Sequence, residues 1–266
     1  MTTILDEIAG YARVRVTQAK QHLPQAVLAR LCTELGKSDF GFTQAISGSE
    51  LAFICECKKA SLSKGIIAAD FPYLEIARAY EAAGANAISV LTEPKWFCGD
   101  DQYLREIASE VTLPCLRKDF VVDEYMIYQA RFLGASAVLL ICALLDPVQL
   151  REYQQLADEL GLSALVEVHD SCEVEQALAA GARIIGVNNR NLKDFTVDIG
   201  NSASLRELVP EGVLFVAESG IQSAADVAAA RKIGADAVLV GEALMRSNNK
   251  REKLRILKGE CDAECD

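Results

Sequence analysis

Positive charge is scarce in this chain. Its 27 lysines and arginines face 38 aspartates and glutamates, a formal net charge of −11, and there are only two histidines. That balance argues against a protein that holds nucleic acid or an anionic membrane surface by general electrostatics. Long hydrophobic runs are missing too: the longest is nine residues, Ala137 to Leu145, well short of the ~18 that a bilayer-crossing helix takes. No stretch is of low complexity, no Pro/Gly/Ser-rich linker divides the 266 residues, and no glycine-rich dinucleotide fingerprint follows the first strand-like run. Residues 1–10 carry Asp6 and Glu7 but no basic side chain, so they do not read as a secretory leader. With 51% apolar and 24% charged residues, the chain has ample material to bury against the entropy of ordering, which excludes disorder.

Cysteine, by contrast, is plentiful, yet the nine do not read as a disulfide framework. Their number is odd, and Cys55, Cys57, Cys115 and Cys142 lie inside apolar runs, where free thiols serve as small core residues. Cys261 and Cys265 sit in an acidic tail with no second cysteine or histidine pair nearby, so no metal site is expected there. The expected setting is a reducing cytoplasm.

The chain repeats itself. A Gly-Ala step followed by an aliphatic run occurs at Gly84, Gly134, Gly181 and Gly234, at intervals of 50, 47 and 53 residues. Each copy reads as an Ala-rich helix ending on a left-handed glycine, then a strand buried on both faces, the mark of a parallel sheet. Four more strand-like runs fall around these copies, at Phe53–Lys58, Leu113–Lys118, Ala164–His169 and Leu214–Ser219. Helical patterns at Asp123–Leu133, Pro147–Leu160 and Ser223–Ile233 separate them, the last opened by a Ser223 cap. Eight strands alternating with helices predict an α/β protein, a single (β/α)8 TIM barrel. Residues 1–50 lie outside the repeat and, with an amphipathic pattern at Leu23–Leu35, predict an N-terminal helical extension packed on a barrel of residues 51–258. An acidic tail of residues 259–266 follows.

Alternate strand residues of a barrel point inward, and its active sites form where the strands end. Period two places Glu56 and Lys58 with Ile54, Lys118 and Phe120 with Leu116, and Glu167 and His169 with Leu165. Strand six runs into Gly186-Val187-Asn188-Asn189-Arg190, strand seven into Glu218-Ser219-Gly220, and strand eight into Gly241-Glu242. One such residue is ordinarily a solvated loop lysine or half of a salt bridge. Five strand ends of this kind are harder to dismiss, because buried charges cost several kcal/mol unless paired. Two lysines and two carboxylates at one mouth predict an acid/base set whose pKa values move toward neutrality, and a locally basic patch that draws an anionic substrate. Small residues at the ends of strands seven and eight suit a phosphate held by backbone N–H groups. His169 reads as a polar neighbour of Glu167 rather than a zinc ligand, and Cys57 faces away from Glu56 and Lys58.

Six ordered motifs resemble the indole-3-glycerol phosphate synthase family. They are Glu56–Gly65, Leu116–Phe120 with Asp123-Glu124-Tyr125, Leu165–His169, Gly186–Leu192, Ala217–Ile221 and Gly241–Met245. The resemblance implies a phosphate-binding barrel of tryptophan biosynthesis. Its reaction turns 1-(2-carboxyphenylamino)-1-deoxyribulose 5-phosphate into indole-3-glycerol phosphate, losing carbon dioxide and water, with neither metal nor organic cofactor. By motif position it implies Lys118 as the general acid of ring closure, Lys58 with Glu56 in the later dehydration, and Glu167 as the carboxylate of the acid/base pair. Asn188 would position the substrate and Ser219 would lie in the pocket. Ser61, Gly220, Gly241 and Glu242 would hold the phosphate, and Arg190 would bind near the charged end of the substrate. Phe97, Phe120 and Leu192 are candidate apolar walls. Leu62 replaces the family's usual proline and is expected to loosen the loop that carries Ser61; the Glu242 carboxylate is expected to point away from the phosphate. Some relatives carry a fused isomerase domain, expected to be absent here. The expected partner is a small anionic sugar phosphate, met by a monomer or weak oligomer, with no nucleic acid and no membrane. The rival readings are a phosphoribosylanthranilate isomerase-like barrel, which would rely on a cysteine/aspartate pair, and a catalytically silent barrel scaffold.

Overall fold

The computed structural model describes residues 3–191 and 195–260. Eight parallel strands close into a barrel: β1 (Ala52–Cys57), β2 (Ala87–Leu91), β3 (Cys115–Lys118), β4 (Ala137–Ile141), β5 (Ser163–Val168), β6 (Ile184–Asn188), β7 (Leu214–Glu218) and β8 (Ala237–Val240). The four repeat glycines all adopt positive φ, between 74° and 91°, and end the preceding helices as their spacing predicts. Strand ends differ from the pattern by a residue or two. The third strand starts at Cys115 because Pro114 has no N–H to donate to a ladder, and the seventh stops at Glu218 because Ser219 turns left-handed, at φ 64°.

Three helices precede the barrel: α1 (Ile4–His22), α2 (Gln25–Glu34) and α3 (Gly41–Ile46). The short α3 plugs the floor. Its Phe42 and Ile46 are fully buried against Ile54, Leu116, Leu165 and Leu239, one inward residue from each of four strands, and Thr43 meets the Ser163 hydroxyl at 2.7 Å. Outside the strands, a second apolar layer packs them against the surrounding helices. Those helices are α4 (Tyr73–Ala82), α5 (Asp101–Glu110), α6 (Tyr125–Phe132), α7 (Pro147–Leu160), α8 (Ser171–Ala179), α9 (Gly200–Arg206), α10 (Ala224–Lys232), α11 (Glu242–Arg246) and α12 (Lys250–Lys258). The Ser223 cap of α10 is present as a full capping box with Asp226.

The first helix reaches over the other end of the barrel. It opens on a Thr3–Asp6 capping box. Arg15 forks onto Asp119 at 2.6 and 3.1 Å, and Lys20 meets Asp123 at 2.8 Å. Asp119 is buried and also receives the Thr92 hydroxyl. Burial would raise its carboxyl pKa, but Arg15 and Arg117 hold it below the ordinary value. Among the described residues, no helix is long and apolar enough to cross a membrane.

Candidate active site

At the C-terminal ends of the strands the lumen opens into a cavity of about 150 Å3. Strand alternation and register together decide which side chains enter it. Two residues above the apolar floor, β1 presents Glu56, β3 Lys118, β5 Glu167 and β7 Glu218. Register places Glu218 beside Asn188 of β6 and Glu167 beside Gly186. Glycine is needed there because a Cβ at 186 would collide with the Glu218 carboxylate; one at 241 would collide with Glu56. The two glycines therefore make room for charge.

Lys118 is the hub. Its Nζ donates to Glu218 Oε2 at 2.5 Å and to Glu167 Oε2 at 3.1 Å. Asn188 Nδ2 donates to the other Glu167 oxygen at 3.2 Å, while its own carbonyl oxygen accepts the Arg190 backbone N–H at 3.0 Å. Lys58 pairs with Glu56 beside Gly241. Burial alone would depress the Lys118 ammonium, but Glu218, Glu167 and Glu56 outweigh it and hold its pKa above that of an ordinary lysine. This corrects the expectation of a lysine lowered toward neutrality. The mouth is not a basic patch either, because Glu218 and Glu242 join Glu56 and Glu167 opposite Lys58, Lys118 and Arg190. Burial, with Glu167 close by, pushes Glu218 up to about 7 despite its lysine. Burial acts on Glu167 in the same direction, but Lys118, His169 and the Asn188 amide hold it below the usual carboxylate range. The pKa values of two neighbouring carboxylates are thus driven in opposite directions.

The alternation of Leu214, Val216 and Glu218 already turns Glu218 inward, although the resemblance assigns a role only to its neighbour Ser219. That serine lines the mouth on strained backbone, and its carbonyl accepts from Asn189 at 3.1 Å. Gly220, also left-handed, and Gly241 line the same side. The Ser61 hydroxyl is buried beside them without a partner among the described residues, on a loop closed by the short antiparallel pairing of Ser61 with Gly65. The Glu242 carboxylate binds Arg246 one turn on, at 2.9 Å. Arg190 reaches the mouth with its guanidinium on the Phe195 carbonyl at 3.1 Å. Leu192 lies outside the described residues, as do Cys261 and Cys265.

Phe97 and Phe120, which follow the adjacent strands β2 and β3, pack against each other at the mouth, with ring centroids 5.9 Å apart and a 37° tilt. Fully buried Glu93 fixes the turn that carries Phe97 by accepting the N–H groups of Lys95, Trp96 and Phe97. Ile4, Leu5 and Ile8 of α1 complete the apolar wall. Sequence reading missed them, although Ile4 and Ile8 fall one helical turn apart. Cys57 is buried away from the mouth, and burial pushes its thiol well above the ordinary range, so it is no nucleophile. Among the described residues, no cluster of three His, Cys, Asp or Glu side chains could share a metal ion.

Residues 5–257 match the family model for indole-3-glycerol phosphate synthase. A protein of that name from Ruminiclostridium cellulolyticum is 55% identical over 257 residues, covering 96% of this chain and 99% of the relative. One from Endomicrobium trichonymphae is 51% identical, at the same coverage of both chains. A crystal structure of 3-hexulose-6-phosphate synthase from Salmonella typhimurium shares the fold at a TM-score of 0.65, with 15% identity over 79% of this chain and 97% of that one.

Proposed function

The chain belongs to the indole-3-glycerol phosphate synthase family, and from that membership we propose how the residues at its mouth divide the reaction. The activity is that of a carboxy-lyase, forming indole-3-glycerol phosphate from 1-(2-carboxyphenylamino)-1-deoxyribulose 5-phosphate. The observation that carries the proposal is Lys118, held as an ammonium between an ionised carboxylate and one that stays close to protonation.

In ring closure the aromatic carbon bearing the carboxylate attacks the ketone. Charge develops on the ketone oxygen, where the Lys118 ammonium lies in wait. A cation held in place stabilises that charge, and once the oxygen becomes alkoxide-like it is basic enough to take the lysine's proton. Carbon dioxide then leaves with its bonding electrons returned to the ring. Dehydration follows: Lys58, oriented by Glu56, protonates the departing hydroxyl, and Glu167 accepts the proton released as the new double bond forms. Asn188 fixes Glu167 for that step. Glu218 keeps Lys118 aimed and can itself hold a proton. Phe97 and Phe120, packed against each other, offer one apolar wall to the aromatic part of the substrate. Ser61 and the backbone at Gly220 and Gly241 hold the phosphate, with the Glu242 carboxylate drawn off by Arg246. Arg190 meets the other charged end.

The fluorescence of indole-3-glycerol phosphate provides the test. The parent protein should produce it from the substrate, and Lys118→Ala should slow turnover by roughly 10³-fold or more, within the range of a lost general acid, while keeping its cooperative unfolding. Turnover by that variant within tenfold of the parent would remove Lys118 from the role.

A further inference from the structure

The aromatic wall of the mouth stands apart from the acid/base set. Phe97 sits on a turn after β2 rather than on the strand itself, and a turn is mobile unless something holds it. Here the holder is Glu93, which is fully buried yet is not among the side chains lining the cavity. Its Oε1 accepts the Lys95 N–H at 2.9 Å, and its Oε2 accepts those of Trp96 and Phe97 at 2.7 and 3.1 Å. The Gly99 N–H closes the turn on the Glu93 carbonyl at 2.8 Å. Closure puts Cys98 in the left-handed region, at φ 51°, which is costly for a residue with a Cβ. It also requires glycine at 99, where a Cβ would lie 2.5 Å from the Leu91 carbonyl oxygen and 2.8 Å from the Glu93 nitrogen.

The residues bracketed in this way face two sides. Phe97 lines the mouth with Phe120. Trp96 meets Tyr11 of α1 edge to face, with ring centroids 5.7 Å apart. The Lys95 ammonium lies 4.3 Å from the centre of the Trp96 ring and 5.4 Å from that of Tyr11. Tyr11 shares a face of α1 with Ile4 and Ile8, which cover the mouth together with Leu5. One buried carboxylate thus registers the aromatic wall against its apolar cover. The root of the turn is fixed as well, because the Thr92 N–H binds the Lys118 carbonyl at 3.2 Å.

We propose that the turn from Glu93 to Gly99, with Glu93 as its positioning residue, sets where the aryl ring of the substrate lies relative to Lys118. Glu93 touches no substrate; it acts through Phe97. A carboxylate suits the task because its two oxygens satisfy three N–H groups at once, and a buried N–H left without an acceptor is costly. The inference rests on the proposed contact of Phe97 with the aromatic part of the substrate.

A double-mutant cycle read in KM provides the test. Phe97→Ala should raise KM by roughly tenfold, because it removes the wall. Glu93→Met keeps most of the volume but accepts no N–H. It should raise KM by about fivefold, with a smaller change in kcat because Lys118 keeps Glu167 and Glu218. On the Phe97→Ala background, Glu93→Met should add less than about twofold, since no ring is left to position. Glu93→Gln keeps one oxygen for Trp96 and Phe97 and should recover most of the parental KM. Inorganic phosphate, which engages only the far end of the site, should inhibit all of these equally. If Glu93→Met does not fold, Gly99→Ala displaces the same turn without touching the carboxylate and is read by the same cycle. Parental KM in Glu93→Met or Gly99→Ala overturns the proposal. So does an undiminished effect on the Phe97→Ala background, or a KM for Glu93→Gln as high as that for Glu93→Met. A fall in kcat at parental KM, or a loss of phosphate inhibition, marks a merely structural role and overturns it too. Parental KM in Phe97→Ala instead removes the contact between Phe97 and the aryl ring, and the positioning role falls with it.

Discussion

The floor and the mouth of this barrel are made by the same strands, two residues apart, and they solve opposite problems. Ile54, Leu116, Leu165 and Val216 close the floor over α3; of the next inward residues, Glu56, Glu167 and Glu218 are nearly as buried and Lys118 is somewhat more open, and all four are ionisable. Floor residues gain from leaving water, whereas mouth residues lose hydration and recover it only from one another. The difference teaches that burial is not what separates core from site in this molecule. Mutual pairing is: each mouth charge is tolerated because its neighbour opposes it, and glycines at 186 and 241 leave the space in which they meet.

Moving charge down one layer should break the comparison most severely. Leu165→Glu places a carboxylate among apolar neighbours with no cation, at a cost of several kcal/mol against a typical total stability of about 5–15. We expect loss of cooperative unfolding and of near-UV circular dichroism at neutral pH. A parental unfolding curve would refute the claim that pairing alone makes the mouth tolerable. Leu116→Ala tests the floor by itself. It should lower stability by about 2–5 kcal/mol in urea titration while the folded fraction keeps its kcat, since Lys118 two residues on retains both carboxylates.

A gentler change sharpens the mouth side. Glu218 has a folded-state pKa of about 7, raised above the ordinary 4.5. The folded state therefore binds this proton more tightly than the unfolded one, and the stability from that group is full below pH 4.5 and lost as pH rises to 7. Glu218→Gln should remove that loss, so its melting temperature relative to the parent should be more favourable at pH 8 than at pH 5. It should also erase the inflection near pH 7 in the rate profile; an inflection that survives assigns it to another group. The smallest effect is expected at the rim. Arg246→Ala breaks an exposed pair with Glu242, which should change stability by less than about 0.5 kcal/mol. It should nevertheless raise KM, because the freed carboxylate repels the phosphate; an unchanged KM would place Glu242 clear of that end of the substrate.

Much of this was legible in the residues. The fifty-residue repeat announces eight strands because each Gly-Ala step marks a helix end and a strand start, both local events. Period two correctly set Glu56, Lys118 and Glu167 on one face. Glu218 obeys the same rule, but nothing local says that it meets Lys118, 100 residues back along the chain. The apolar cover from Ile4, Leu5 and Ile8 was less accessible. Their helical spacing is plain, but nothing local says that α1 folds over the mouth; that follows from Arg15 meeting Asp119, 104 residues away.

By itself, then, the sequence determined the order of elements, the hand-over from helix to strand, and which residues of each strand face the lumen, because these depend on neighbours within a turn or a pleat. Only the tertiary structure decided how those inward residues behave. Lys118 is held charged rather than neutral by carboxylates 49 and 100 residues further along the chain, and one of those carboxylates is pushed up while the other is pulled down. Ionisation depends on distance and on loss of water, and both are set when strands far apart in the chain close into one ring.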